Sequence, residues 1–263
     1  MSPMSYIAVL YKTILDALFP VSAAEAELFS YSPEEVLLKL SSAPDFSGLA
    51  VSAGDALLMD SVFAYKDERV AKLVWNVKYK KSAHAVAIGG YALLQKLQAG
   101  AESRVSRDTR RALLGARSFS PLNAAPKGPS KSLSAPACII LPMPITSKRR
   151  KERGYNQCEL LVDEIQKLAG ENKNGFIFEK NLLVRTHHAA RQTLKGRTDR
   201  LESAKGIFGV NEEVAQKFLA KEFKDFQIII IDDVITTGST MKEAIDMLKK
   251  AGFDDVRGLS LAH

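Results

Sequence analysis

Asp232 and Asp233 stand side by side at the end of the isoleucine run Ile228–Ile231, and Thr236, Thr237, Gly238, Ser239 and Thr240 follow within a turn. Paired carboxylates accept hydrogen bonds from sugar hydroxyls. Backbone N–H groups in a small-residue turn, joined to a helix N-terminus, make an anion cradle. Gly238 lets the backbone approach a phosphate closely, and the hydroxyls add donors. Together these residue types describe a site for a ribose 5-phosphate. The plainer alternative is a capped helix with two solvent-facing aspartates.

The elements that position these residues can be read from the pattern around them. Ile228–Ile231 shows no alternation, as expected for a central parallel strand covered on both faces. "STMKEAIDMLKKAGF" follows as a helix ending at Gly252, and "VRGLSLA" closes as a strand. Upstream, "ACIILPMP" and "NLLVRT" read as short strands. "NQCELLVDEIQKLAG" reads as a helix stopped by Gly170, and "NEEVAQKFLAKEF" as one capped by Asn211. Strands alternating with helices predict an α/β fold: a central parallel sheet flanked by helices. Ligands in such sheets bind beyond the carboxyl ends of the strands.

The N-terminal half reads as helical. "DERVAKLVWNVKYKK" and "AHAVAIGGYALLQKLQAG" have apolar residues at helical spacing, and Asp67 can cap the first. Ile7, Leu10, Tyr11, Ile14, Leu15 and Leu18 mark an amphipathic helix ended by Pro20. Residues 1–60 are expected to form a helical hood region, and 61–263 the main domain. Within that domain, about 100–136 is rich in Ser, Arg, Ala, Gly and Pro and is read as a mobile insertion.

Bulk properties set limits. The chain has 263 residues and a net charge of +7, which suits an anionic partner, nucleic acid or phosphorylated small molecule. Only Cys138 and Cys158 are present, with no C-x-x-C pair, so a disulfide framework and a four-cysteine zinc site are excluded. Isolated cysteines suit a reducing cytoplasm. No apolar stretch reaches the roughly 20 residues of a spanning helix.

"IIIIDDVITTGST" resembles the PRPP-binding motif of type I phosphoribosyltransferases. "ILPMPITSKRRKERGYNQCELL", "LLVRTHHAARQTLKGRTDRLESAKGIFGV" and "LFP" at Leu18–Pro20 narrow the resemblance to the ComF-type competence proteins. It covers residues 137–263 and, more loosely, 61–98. One departure is clear: the family's cysteine-rich zinc module after Leu-Phe-Pro is replaced here by a cysteine-free stretch. No zinc is therefore expected.

The resemblance implies a type I phosphoribosyltransferase fold and transfer of a phosphoribosyl group from PRPP to a nitrogenous base or amine, with release of pyrophosphate. Mg²⁺ would be held mainly by substrate oxygens, without a dedicated metal cluster. Asp232 and Asp233 would face the ribose hydroxyls, and Thr236 to Thr240 would cradle the 5′-phosphate. Arg153, Gly154 and Asn156, inside Arg-Gly-Tyr-Asn, would belong to the pyrophosphate loop, with Lys148, Arg149, Arg150 and Lys151 as nearby charges. Tyr155 is expected to pack under that loop. Arg185, Gln192 and Arg200 are the expected lid residues; His187 and His188 are read as exposed loop. Arg185 and Arg200 join the aspartates as catalytic candidates. Two other readings stay open: a non-catalytic PRPP or nucleotide sensor, and an accessory factor for DNA uptake that binds single-stranded DNA. The sequence leaves the acceptor and the oligomeric state open.

Overall fold

The computed structural model describes residues 21–43, 52–115, 138–170, 175–186, 206–220 and 226–263, without the side chains of 53 and 102–115. The 1–20 amphipathic pattern lies outside the described residues. The N-terminal region is helical where described: α1 (Ala23–Ser30), α2 (Pro33–Lys39) and the short α3 (Ala53–Ala56). Ser22 caps α1, and Ser32 with Glu35 forms a full capping box on α2.

Strand β1 (Met59–Phe63) leads to α4 (Glu68–Trp75), where Asp67 is the N-cap and accepts from Arg69 N. The chain then widens into a π turn, Asn76–Lys80, closed by Lys81 in the left-handed region (φ 49°). Helix α5 runs Ala83–Gly115, so the first part of the segment read as irregular is helix. Next come β2 (Cys138–Pro142), α6 (Ser147–Arg153), α7 (Gln157–Ala169), β3 (Phe176–Phe178), β4 (Leu183–Arg185) and β5 (Phe208–Val210). Helix α8 (Glu212–Leu219), capped by Asn211, β6 (Gln227–Val234), α9 (Ser239–Lys250) and β7 (Val256–Ala262) complete the order.

The main sheet has five strands in the order β1-β7-β6-β2-β3, and every pairing is parallel. This is the expected type I phosphoribosyltransferase architecture. Alternation along each strand divides the core in two. Cys138, Ile140 and Ile231 face one side with Leu161 and Ile165 of α7 and Ile88 of α5. Ile139, Leu141, Ile228 and Ile230 face the other with Ile245 and Leu248 of α9. Helices therefore cover both faces, which is why the isoleucine run is apolar throughout.

Three features differ from the sequence reading. β1 and β3 carry too little pattern to stand out, yet they form the two edges of the sheet. "NLLVRT" does not join the parallel sheet. β4 pairs antiparallel with β5 in a small separate sheet, in the register Leu183↔Val210 and Arg185↔Phe208. β6 continues past the isoleucine run to Val234, so both aspartates lie within the strand, with Asp232 paired to Ser260.

Among the described residues, no helix is long and apolar enough to cross a membrane.

Candidate functional site

A cleft of about 370 Å³ opens at the carboxyl ends of β6 and β2, where a parallel sheet places its ligands. Its floor is the end of β6 and the turn into α9. Gly238 ends that turn in the left-handed region (φ 77°) and precedes the first turn of α9. Gly238 has no side chain to cap α9, Thr237 Oγ1 accepts from Ser239 N only at 3.5 Å, and the first turn carries no acid. The helix dipole and its leading amides therefore face the cleft with no acid in their own turn; the carboxylates of the cleft come from β6. Thr236, Thr237, Gly238 and Thr240 line the cleft. Ser239 does not; its hydroxyl sits 3.1 Å from Thr237 Oγ1.

The acidic pair is unequal. Asp233 is buried and its Oδ2 lies 2.9 Å from Lys78 Nζ. The two form a close ion pair. Asp232 is half-buried, and its Oδ1 accepts from Asp233 N at 2.8 Å and from Cys158 Sγ at 3.3 Å. Burial, followed by the charge of Asp233, pushes the Asp232 carboxyl up to about 7. Burial pushes the Cys158 thiol well above its ordinary range, and the two carboxylates add to the shift. Burial opposes the Lys78 charge, but attraction to Asp233 and then Asp232 prevails and holds its ammonium above the ordinary lysine range.

Among the described residues, three cations share this space: Lys78 from the π turn, Arg149 from α6 and Arg185 from β4. Burial, then the nearby charge of Arg149, lowers the pKa of Arg185. Two guanidinium groups held close enough to oppose each other are relieved by an anion between them.

The structure sorts the basic stretch Lys148–Arg153. Arg149 lines the cleft. Lys148 pairs with Glu152, Arg150 with Glu159, and Arg153 donates to Gln157 Oε1 at 2.9 Å while covering the Tyr79 ring. Arg153, Gly154 and Asn156 do not line the cleft. Gly154 closes α6 in the left-handed region (φ 78°). Buried Asn156 caps α7 and donates to Met143 O at 3.0 Å, fastening the loop after β2 to the helix. Tyr155 donates to Val77 O at 3.3 Å, packed beneath the loop.

Arg185 faces the cleft with its guanidinium over the Phe208 ring. The β4–β5 pair holds both ends of the expected lid: Thr186 N donates to Ile207 O at 3.0 Å, and Thr186 Oγ1 to Gly206 O at 2.9 Å. Gln192, Arg200, His187 and His188 lie outside the described residues.

Sequence reasoning missed Lys78, Gln157 and Tyr65, all lining the cleft. Lys78 and Tyr65 arrive by tertiary folding from segments with no local phosphate-binding pattern, whereas Gln157 directly follows the Arg-Gly-Tyr-Asn run. One signal existed for Lys78: "KYKK" at the end of an apolar-periodic helix is where a basic face would be sought.

Among the described residues, Cys158, Asp232 and Asp233 bring a sulfur and two carboxylates within 4.8 Å of one another. The carboxylate oxygens fit a hard divalent cation. The protonated thiol does not.

Residues 188–262 match the phosphoribosyl transferase domain family. Competence protein F of Haemophilus influenzae is 32% identical over 124 residues, 47% of this chain and 49% of that protein. Competence protein ComFC of Bacillus subtilis is 29% identical over 114 residues, 43% of this chain and 39% of that protein. The chain thus spans about half the length, or less, of these curated relatives. By motif, fold and relatives together, residues 188–262 carry a phosphoribosyl transferase domain, and the chain is similar to these two competence proteins over slightly less than half of its length.

Proposed function

We propose that this protein binds PRPP in the β6–α9 cleft and transfers its phosphoribosyl group to a nitrogenous base or amine, releasing pyrophosphate. One observation carries the reading: an uncapped helix N-terminus with a hydroxyl-rich turn, an acidic pair and three cations all line one cleft. The turn 236–240 offers amides and hydroxyls to the 5′-phosphate. Asp232 and Asp233 accept from the ribose hydroxyls. As the C1–O bond breaks, negative charge grows on the pyrophosphate, and Lys78, Arg149 and Arg185 face that charge.

The oxygens of Asp232 and Asp233 are the groups that would receive Mg²⁺, directly or through water; when bound, the ion supplies charge neutralisation of the leaving group. Arg200 and Gln192 are proposed as lid residues with Arg185, closing over the ligand to exclude water.

Pyrophosphate release from PRPP in the presence of a panel of nitrogenous acceptors tests transfer. Turnover with one of them supports the enzyme. Tight PRPP binding with no release from any acceptor converts the reading to a PRPP sensor.

A second reading rests on the relatives' names and on the exposed basic residues of α6: an accessory role in DNA uptake. Titration with single-stranded DNA at several salt concentrations tests it, because phosphate contacts give a steep salt dependence.

A further inference from the structure

Lys78 is the cleft cation that no motif announces. Its side chain is 25% exposed, and its Nζ is 2.9 Å from the oxygen of a carboxylate that is only 5% exposed. The π turn that carries it is pinned on either side. Buried Glu25 accepts from Asn76 Nδ2 at 2.9 Å and from Lys80 Nζ at 3.3 Å, and Asn76 Nδ2 also donates to Lys72 O. Tyr79 packs beside Trp75 and under Arg153. The backbone is thus held while Lys78 alone of these side chains lines the cleft. Single-turn π bulges inside helices recur at functional sites, where they re-aim one side chain.

The pairing has a consequence for any phosphoribosyl ligand. While Lys78 neutralises Asp233, that carboxylate is committed to an ammonium and the ammonium to a carboxylate. The same ligand requires both, one for its hydroxyls and one for its phosphate oxygens. Among the described residues no other donor reaches Asp233 Oδ2, so the ammonium alone holds that oxygen and its departure frees the carboxylate. A polyphosphate carries more charge than one carboxylate, and a flexible four-carbon stem can follow it.

We propose that Lys78 is an exchangeable ligand-binding cation: it neutralises Asp233 in the free cleft and passes to the pyrophosphate oxygens when a phosphoribosyl pyrophosphate binds, releasing Asp233 to the ribose hydroxyls. This rests on the PRPP reading of the cleft. It assigns to the segment before the first central strand a direct share in holding the leaving group.

The test is a double-mutant cycle by calorimetry on the full chain, with inorganic pyrophosphate and ribose 5-phosphate as separate probes. Lys78→Met keeps the stem and removes the charge. Because it leaves Asp233 buried without a counter-ion, Lys78→Met/Asp233→Asn is measured against Asp233→Asn as well; that comparison removes the buried Asp233 charge from both proteins. The expected result is a loss of pyrophosphate affinity of roughly tenfold or more on removing Lys78, in both backgrounds, with ribose 5-phosphate changed much less. If the loss vanishes in the Asp233→Asn background, Lys78 only neutralises Asp233 and the inference is overturned. Unchanged pyrophosphate affinity in both backgrounds overturns it too, while leaving the PRPP reading intact. Wild-type protein that binds neither pyrophosphate nor PRPP overturns both.

Discussion

Cys158 Sγ lies 3.3 Å from Asp232 Oδ1, so a residue in the first turn of α7 donates directly to the acidic pair at the end of β6. The thiol is fully buried and its pKa is raised by that burial and by the two carboxylates. It is a fixed donor rather than a nucleophile. Cys158→Ala should cost about 1–3 kcal/mol in chemical denaturation, from a small void and a lost partner of a carboxylate. Cys158→Ser, which keeps a donor, should retain more affinity for ribose 5-phosphate than Cys158→Ala. Native protein should resist thiol reagents at pH 8 and react after unfolding. Fast labelling of Cys158 in the native state would show that the thiol is not held as described.

Glu25 is buried and gathers Asn76 and Lys80 from the π turn. Glu25→Ala should lower stability by roughly 2–4 kcal/mol, because a buried amide and ammonium lose a charged partner. Hydrogen exchange should rise in α1 and in Asn76–Lys80 together. A rise confined to α1 would separate the two elements.

Gly258 of β7 approaches α9 closely. A Cβ there would meet Met241 Cγ and Sδ at 2.5 Å. Gly258→Ala should destabilise the fold by about 1–3 kcal/mol through overpacking. Met241 also lines the cleft, so the same substitution should weaken PRPP binding. Gly258→Ala/Met241→Ala should recover part of the binding, measured by titration; no recovery would place the strain elsewhere.

Asp67 caps α4, and the Arg69 side chain, with backbone donors from Arg69 and Ser41, holds its carboxyl down to about 2. A depressed folded-state pKa contributes stability that is fully present above the unfolded value of about 4 and is lost as pH falls through the folded value. Asp67→Asn should therefore be less stable than wild type at pH 5, and the gap should narrow as pH falls towards 2. A gap independent of pH over that window would count against the ion pair.

Most of the architecture was legible because it is local. The isoleucine run, Gly238 and the helix after it encode a buried strand, a tight turn and an open N-terminus within consecutive residues. Asp67, Asn211 and Gly170 announced helix ends by the same local chemistry. What was not legible is tertiary. Lys78 meets Asp233 only because β1 joins the sheet beside β7 and the helix after β1 widens into a π turn. β1 and β3 are edge strands; polar Asp60 and Ser61 break the apolar run of β1, and β3 has only three residues. "NLLVRT" looks like a sheet strand by composition, but its partner is Phe208–Val210 rather than the central sheet. Arg153 and Asn156 enter the pyrophosphate loop through the resemblance at Arg-Gly-Tyr-Asn. Their hydrogen bonds to Gln157 and Met143 show that they build the loop from which Arg149 reaches the cleft.

The central claim is that the acidic pair and the 236–240 turn form one PRPP site. Calorimetric titration of the full chain with PRPP and Mg²⁺, beside Asp232→Asn/Asp233→Asn, tests it most directly. Wild type should bind saturably, and the double variant should bind at least about tenfold, or roughly 1.4 kcal/mol, more weakly. Equal affinity in the two proteins, or no binding by wild type, would contradict it.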